Sequence, residues 1–158
     1  METQPVIAYI ALGSNLGDRA ATLLAAVKRL DDAPRVELRR LSHMIETAAE
    51  GGPPGQPPYL NAAAELQTTL GPHELLAATA AVEASLGRDR ARETPNGPRT
   101  CDIDILLFGD MVLQTPELTV PHPRMHLRRF VLEPLAQIAP DAMHPLLGKT
   151  IRQLLAEL

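Results

Sequence analysis

The sequence predicts an α+β fold, an antiparallel sheet with helices packed on it and extra helices toward the C-terminal end. Three observations carry that reading. Apolar or alternating runs recur at residues 6–12, 36–41, 59–70 and 101–108, with helical spacings between them. Glycine and proline cluster at the joints. The resulting order is strand, helix, strand, strand, helix, strand, which fits a ferredoxin-like sandwich.

Residues 6–12 (VIAYIAL) form an apolar run that meets Gly13-Ser14-Asn15, as a buried strand entering a turn does. Asp18 stands where a helix cap belongs, and Ala20, Leu23, Leu24, Val27 and Leu30 fall on one helical face. Pro34 stops that helix. Val36, Leu38 and Leu41 alternate with Glu37, Arg39 and Arg40, as in a half-exposed strand. Residues 48–58 hold Gly51, Gly52, Gly55 and four prolines, and predict a loop of the length often used for binding. A strand resumes at Tyr59, with Leu60, Ala62, Ala64 and Leu66 against Asn61, Glu65 and Gln67. Pro72 suits a helix start, with Leu75, Val82 and Leu86 on one side and Gly87 at the end. A second loop spans residues 88–98, the last strand is 101–108, and helices are expected at 128–138 and 150–158 beyond a proline-punctuated stretch.

Composition narrows the function classes. The 158 residues suit one domain, here expected to be 1–158, and 45% hydrophobic content suffices for its core. A net charge of −4 argues against a general nucleic-acid binder, and 3% aromatic content against base-stacking platforms. No apolar run approaches the roughly 20 residues that span a membrane, so no membrane partner is expected. Cys101 is the one cysteine, which fits a buried side chain in a reducing, cytoplasmic setting.

Asp102 and Asp104 are the most informative pair. On a strand they share one face, while Cys101, Ile103, Ile105 and Leu107 are expected on the other and Leu106 and Phe108 beyond the acids. Paired carboxylates repel unless a cation lies between them, and hard cations such as Mg²⁺ take oxygen ligands. An Asp-x-Asp pair is by itself common, but arginines surround this one. Arg88, Arg90, Arg92 and Arg99 precede it, and His122, Arg124, His126, Arg128 and Arg129 follow. That cluster suits a polyphosphate bridged by metal ions, although Arg92, Arg124 and Arg129 taken singly read as surface residues. The Gly13–Gly17 turn matches neither phosphate-loop pattern. His43, His73 and His144 are isolated and read as surface or packing residues.

The run Gly97-Pro98-Arg99-Thr100-Cys101-Asp102-Ile103-Asp104-Ile105-Leu106 resembles the central motif of the 6-hydroxymethyl-7,8-dihydropterin pyrophosphokinases. Residues 8–17 (AYIALGSNLG), Tyr59-Leu60-Asn61-Ala62 and residues 120–125 (VPHPRM) are similar to other segments of that family, in the same order. The resemblance implies transfer of pyrophosphate from ATP to the pterin hydroxymethyl group in folate biosynthesis. It implies that Asp102 and Asp104 hold two Mg²⁺ ions, and that Arg88, Arg99, His122 and Arg128 contact the triphosphate, with Arg90 joining on loop closure. Glu83 would lie near the nucleotide, and Ile105 would touch adenine. Asn61 would hydrogen-bond the pterin between the rings of Tyr59 and Phe130, with backbone contacts from Thr47. Asn96 stands where the family usually has an aromatic. The expected partners are the two small molecules, and the expected state is a monomer. A metabolite-binding module without catalysis and a metal-assisted phosphohydrolase are the alternative readings.

Overall fold

The computed structural model describes residues 4–49, 51–88 and 100–158. In chain order the elements are β1 (Val6–Ser14), α1 (Arg19–Asp31), β2 (Val36–Leu41), β3 (Ile45–Thr47), β4 (Tyr59–Thr68), α2 (Pro72–Ser85), β5 (Asp102–Phe108), β6 (Leu113–Gln114), β7 (Thr119–Val120), α3 (Arg129–Ile138), β8 (Met143–His144), β9 (Lys149–Thr150) and α4 (Ile151–Ala156). The main sheet runs β2-β4-β1-β5, with β3 pairing the free half of β4's outer edge, and every pairing is antiparallel. This is the ferredoxin-like arrangement, with α3 and α4 as the additional C-terminal helices.

The expected elements form for the expected reasons. Asp18 caps α1, its carboxylate accepting from the Ala21 N–H at 3.1 Å. Pro72 occupies the first turn of α2, and the Glu74 carboxylate accepts from the Gly71 N–H at 2.8 Å. Thr150 and Gln153 form a capping box that starts α4. Two features lie outside the sequence expectation. The three-residue β3 carries too short a pattern to recognise, and the β6-β7 and β8-β9 ribbons hide in a proline-rich stretch.

Each face of the sheet is covered by its own apolar layer. Ala8, Ile10 and Leu12 of β1, with Ala62, Ala64 and Leu66 of β4, pack against Leu23, Val27 and Leu30 of α1 and Leu75 and Val82 of α2. On the opposite face, Ala63, Leu106 and Leu107 pack against Met125, Val131, Leu132, Leu135 and Ile138 of the α3 side, and Ile151 and Leu154 of α4 close that layer. Burying such side chains contributes about 1.5–3 kcal/mol each.

The alternation expected along β5 is corrected at its second half. Tyr9 of β1 pairs with Leu107, but Ile10 pairs with Ile105, so Leu106 is the extra residue of a β-bulge. The bulge shifts the phase of the strand. Leu107 therefore joins the layer on the acids' face and Phe108 joins the layer under α1 and α2, the reverse of plain alternation. Cys101, Ile103 and Ile105, ahead of the bulge, face α1 and α2 as expected.

Candidate active site

The register of the sheet brings distant residues into rows. Asn61 of β4, Gly13 of β1 and Asp102 of β5 are direct cross-strand neighbours, and Ala63, Ala11 and Asp104 form the next row. Paired residues point to the same face, here the one covered by α3. Gly13 and Ala11 thus separate an amide from two carboxylates with almost no side-chain volume. Above them lies a cavity of about 330 Å³ lined by both acids and Asn61, by Thr47 and Tyr59 at the β3-β4 end, and by Arg124, Arg128, Phe130 and Val131 from the α3 side.

The Asn61 side chain is oriented from behind. Its Nδ2 donates to Thr47 Oγ1 at 2.7 Å and to the Ile45 carbonyl at 3.5 Å, which turns Oδ1 toward Gly13. A Cβ at Gly13 would stand 3.4 Å from that oxygen and 3.3 Å from Tyr59 Cδ1, tighter than ordinary van der Waals contact, so a side chain here would have to push the Tyr59 ring and the Asn61 amide outward.

The acids are electrostatically frustrated. Burial, then the neighbouring charges of Asp102 and Glu83, push the Asp104 carboxyl up to about 7, while Arg128 and Arg88 pull it down less strongly. Among the described residues no three metal-ligating side chains converge. Asp102 and Asp104 are the residues that could hold a cation, and two carboxylates are what Mg²⁺ commonly takes from a protein when substrate phosphates complete its shell.

Arg88 takes part in a buried charge network. Its Nη1 donates to Glu83 Oε2 at 2.7 Å, to Asp102 Oδ1 at 2.9 Å and to the Cys101 carbonyl at 3.2 Å. The same Glu83 oxygen accepts from the Ile103 N–H at 2.8 Å. The Arg88 and Glu83 side chains are only 2% and 3% exposed. Glu83, at the last turn of α2, therefore clamps the start of β5 through both its backbone and Arg88.

The cationic side is built by the turn before α3. The His122 N–H donates to the carbonyl of the bulge residue Leu106 at 2.9 Å, and His122 Nδ1 accepts from the Arg124 N–H at 3.2 Å. That acceptor role leaves the proton of the neutral ring on Nε2. Burial first, and then Arg128, lower the His122 pKa against the opposing pull of Asp102. Arg124 and Arg128 bracket the 3-10 turn Met125–Leu127, and the Arg128 guanidinium carbon sits 5.5 Å from the Phe130 ring centroid.

The structure thus gathers Thr47, Tyr59, Asn61, Asp102, Asp104, Arg128 and Phe130 around one cavity. Glu83 and Arg88 stand behind it in the charge network. Ile105 is not brought to it: its side chain is 4% exposed in the layer under α1 and α2, on the other face from the acids. Arg90 and Arg99 lie outside the described residues. Sequence reasoning missed Arg124, read as a surface residue, and the small residues Ala11 and Gly13. The signals for Arg124 are its membership of the arginine and histidine cluster after the acids and its place two residues after His122 in the VPHPRM segment. Cys101 is fully buried, and burial pushes its thiol up to about 12, so it is no nucleophile.

Comparison with known proteins is consistent across sequence and fold. Residues 9–140 match the family model described as 7,8-dihydro-6-hydroxymethylpterin-pyrophosphokinase. A Bacillus subtilis protein named 2-amino-4-hydroxy-6-hydroxymethyldihydropteridine pyrophosphokinase is 49% identical over 132 residues, covering 84% of this chain and 77% of its own. Proteins of the same name are 41% identical in Synechocystis, over 95% of this chain and 75% of theirs, and 43% identical in Pseudomonas aeruginosa, over 94% and 89%. Among solved structures, wild-type Plasmodium falciparum HPPK-DHPS with pteroate superposes with a TM-score of 0.77 at 17% identity, which speaks for the fold. The match covers 99% of this chain but 43% of that longer one.

Proposed function

The chain belongs to the 7,8-dihydro-6-hydroxymethylpterin-pyrophosphokinase family, and from that membership we propose how its cavity divides the work of the reaction. The enzyme transfers pyrophosphate from ATP to the hydroxymethyl group of the dihydropterin in folate biosynthesis. The observation that carries our assignment is the Asn61-Gly13-Asp102 row, which sets a pterin-sized amide contact beside a carboxylate pair with only glycine between them.

On this reading the pterin ring lies over Gly13, accepted by Asn61 Oδ1 and bounded by Tyr59, Phe130 and Thr47. A flat heterocycle takes its affinity from such aromatic faces and its orientation from one fixed amide. The triphosphate lies toward Arg124 and Arg128, with His122 donating from Nε2. Arg90 and Arg99 are assigned to the same phosphates by their family positions. Ile105 has its side chain in the core, so only its backbone is available to adenine.

Asp102 and Asp104 are assigned to two Mg²⁺ ions. Their place on one face of β5, both lining the cavity, is the geometry that fits a cation; burial first, and the neighbouring Asp102 charge second, raise the Asp104 carboxyl, and a bound cation would offset both. Bound Mg²⁺ supplies charge neutralisation to the phosphates and acidity to the attacking alcohol. In the reaction the hydroxymethyl oxygen gives up its proton, released in the end to solvent, and bonds to the β-phosphorus; the bond from that phosphorus to the α,β-bridging oxygen breaks, and AMP leaves with the oxygen. The contribution of the side chains is to align those three atoms and to exclude water. Glu83 and Arg88 hold Asp102 in place from behind. We further read residues 1–158 as one domain acting as a monomer in the cytoplasm; among the described residues no helix is long and apolar enough to cross a membrane.

Incubation with ATP, Mg²⁺ and hydroxymethyldihydropterin tests the reading. AMP and pterin pyrophosphate are expected in equal amounts, and AMP formation without the pterin product would identify a hydrolase instead.

A further inference from the structure

The first turn of α1 contains an arginine where helix electrostatics disfavours one. Arg19 is the first residue of the helix, that turn holds no acidic residue, and the positive end of the helix dipole lies at that end. Its side chain reaches away from the helix. Nη1 donates to the Pro58 carbonyl at 2.9 Å and Nη2 to Glu46 Oε2 at 2.8 Å.

These two partners bracket the 48–58 loop, Glu46 two residues before it and Pro58 at its last position. Glu46 lies in β3 directly before Thr47, and Pro58 directly precedes Tyr59. Thr47 and Tyr59 are cross-strand partners, the last pair of the β3-β4 ladder, and both line the cavity. Arg19 therefore ties the two ends of the loop to each other and to α1. A neighbouring contact secures the loop body: Asn15 Nδ2 donates to Gln56 Oε1 and to the Pro57 carbonyl, both at 3.2 Å. Gln56 Nε2 in turn donates to the Gly51 carbonyl at 3.1 Å.

We propose that Arg19 is a positioning residue for the pterin side of the site, keeping Thr47 and Tyr59 in register by clamping both ends of the loop. The proposal rests on the pterin assignment above and adds a residue that does not itself line the cavity. Its physical basis is entropic. β3 is only three residues long and pairs with β4 alone, so few backbone contacts oppose local opening at its end, where the Arg19 contacts add two. Fraying would carry away Thr47 Oγ1, the group that orients the Asn61 amide. An exposed ion pair contributes little to global stability, so the consequence is local to the loop.

The test compares wild type, Arg19→Ala, Arg19→Lys and Asn61→Ala. Arg19→Ala is expected to raise the pterin KM about tenfold, with kcat and the ATP KM within about twofold, because the loss is of ground-state positioning on one side of the cavity. Arg19→Lys, whose single ammonium cannot reach both partners with a planar fork, should fall between. Hydrogen exchange in the ligand-free protein should quicken at residues 45–47 and 59–61 in Arg19→Ala while α1 amides stay unchanged. Equal losses for both substrates, or faster exchange in α1, would mean that Arg19 merely supports the helix and would overturn the proposal. If Asn61→Ala raised the pterin KM and Arg19→Ala did not, the clamp would fall and the pterin assignment would stand. If neither variant moved it, the pterin assignment would fall and take the clamp's role with it.

Discussion

At the scale of single residues, Asp102, Asp104 and Gly13 line the cavity side by side, and each carries an expectation of its own. Asp102→Ala or Asp104→Ala should reduce turnover in Mg²⁺ by roughly a thousandfold, since metal clamping contributes several kcal/mol to the transition state. The pH dependence of stability is a second expectation. Asp104 has its carboxyl raised from 3.8 to about 7, so the folded protein binds more protons than the unfolded chain across that interval. Its favourable contribution is therefore complete below the unfolded value and is lost as pH rises through about 7. Thermal melts of metal-free protein should show this decline, and Asp104→Asn should flatten it. Gly13→Ala places a methyl group against Tyr59 and Asn61. Overpacking of this kind costs about 1–3 kcal/mol, here expected as weaker pterin binding measured by calorimetry.

At the scale of elements, the bulge in β5 connects strand pairing to the phosphate side of the cavity. Leu106 puts its side chain, 1% exposed, into the layer beneath α3, and its carbonyl anchors the turn that carries His122 and Arg124. Leu106→Ala should lower stability by about 2–5 kcal/mol in urea denaturation, the range for emptying a buried leucine site. Strand existence was legible in residues 101–108, whereas the bulge was not. Nothing in ILLF distinguishes a regular apolar strand from one that carries an extra residue, because every side chain there is buried on either face. The β3 strand was illegible for a related reason: its ladder is dictated by the partner edge of β4, not by a pattern of its own.

Across the whole molecule, the Glu83-Arg88-Asp102 network joins α2 to β5 behind the site. Removing one member of a buried pair strands the other charge, so Arg88→Met should destabilise the fold by about 3–5 kcal/mol. Combining it with Glu83→Gln should recover part of that loss, since the more deeply buried of the two carboxylates that Arg88 contacts is then neutral, and a double-mutant cycle in denaturant measures the coupling.

The sequence by itself determined the α+β class, the order of strands and helices, the family resemblance and the carboxylate pair. These are local properties, written in hydrophobic period, caps and short motifs. Thr47, Tyr59, Asn61, Asp102, Asp104, Arg128 and Phe130 are all legible in the sequence, and the tertiary structure gathers them at one cavity. Only that structure decided that Gly13 lies between Asn61 and Asp102, that Arg124 faces the cavity and Ile105 the core, and that Arg88 sits between two carboxylates. Strand register and the phase of a bulge fix which side chains meet, and both arise from pairing between segments dozens of residues apart. A period read along the chain names the face on which a residue lies, but the neighbours across that face are set by the partner strand.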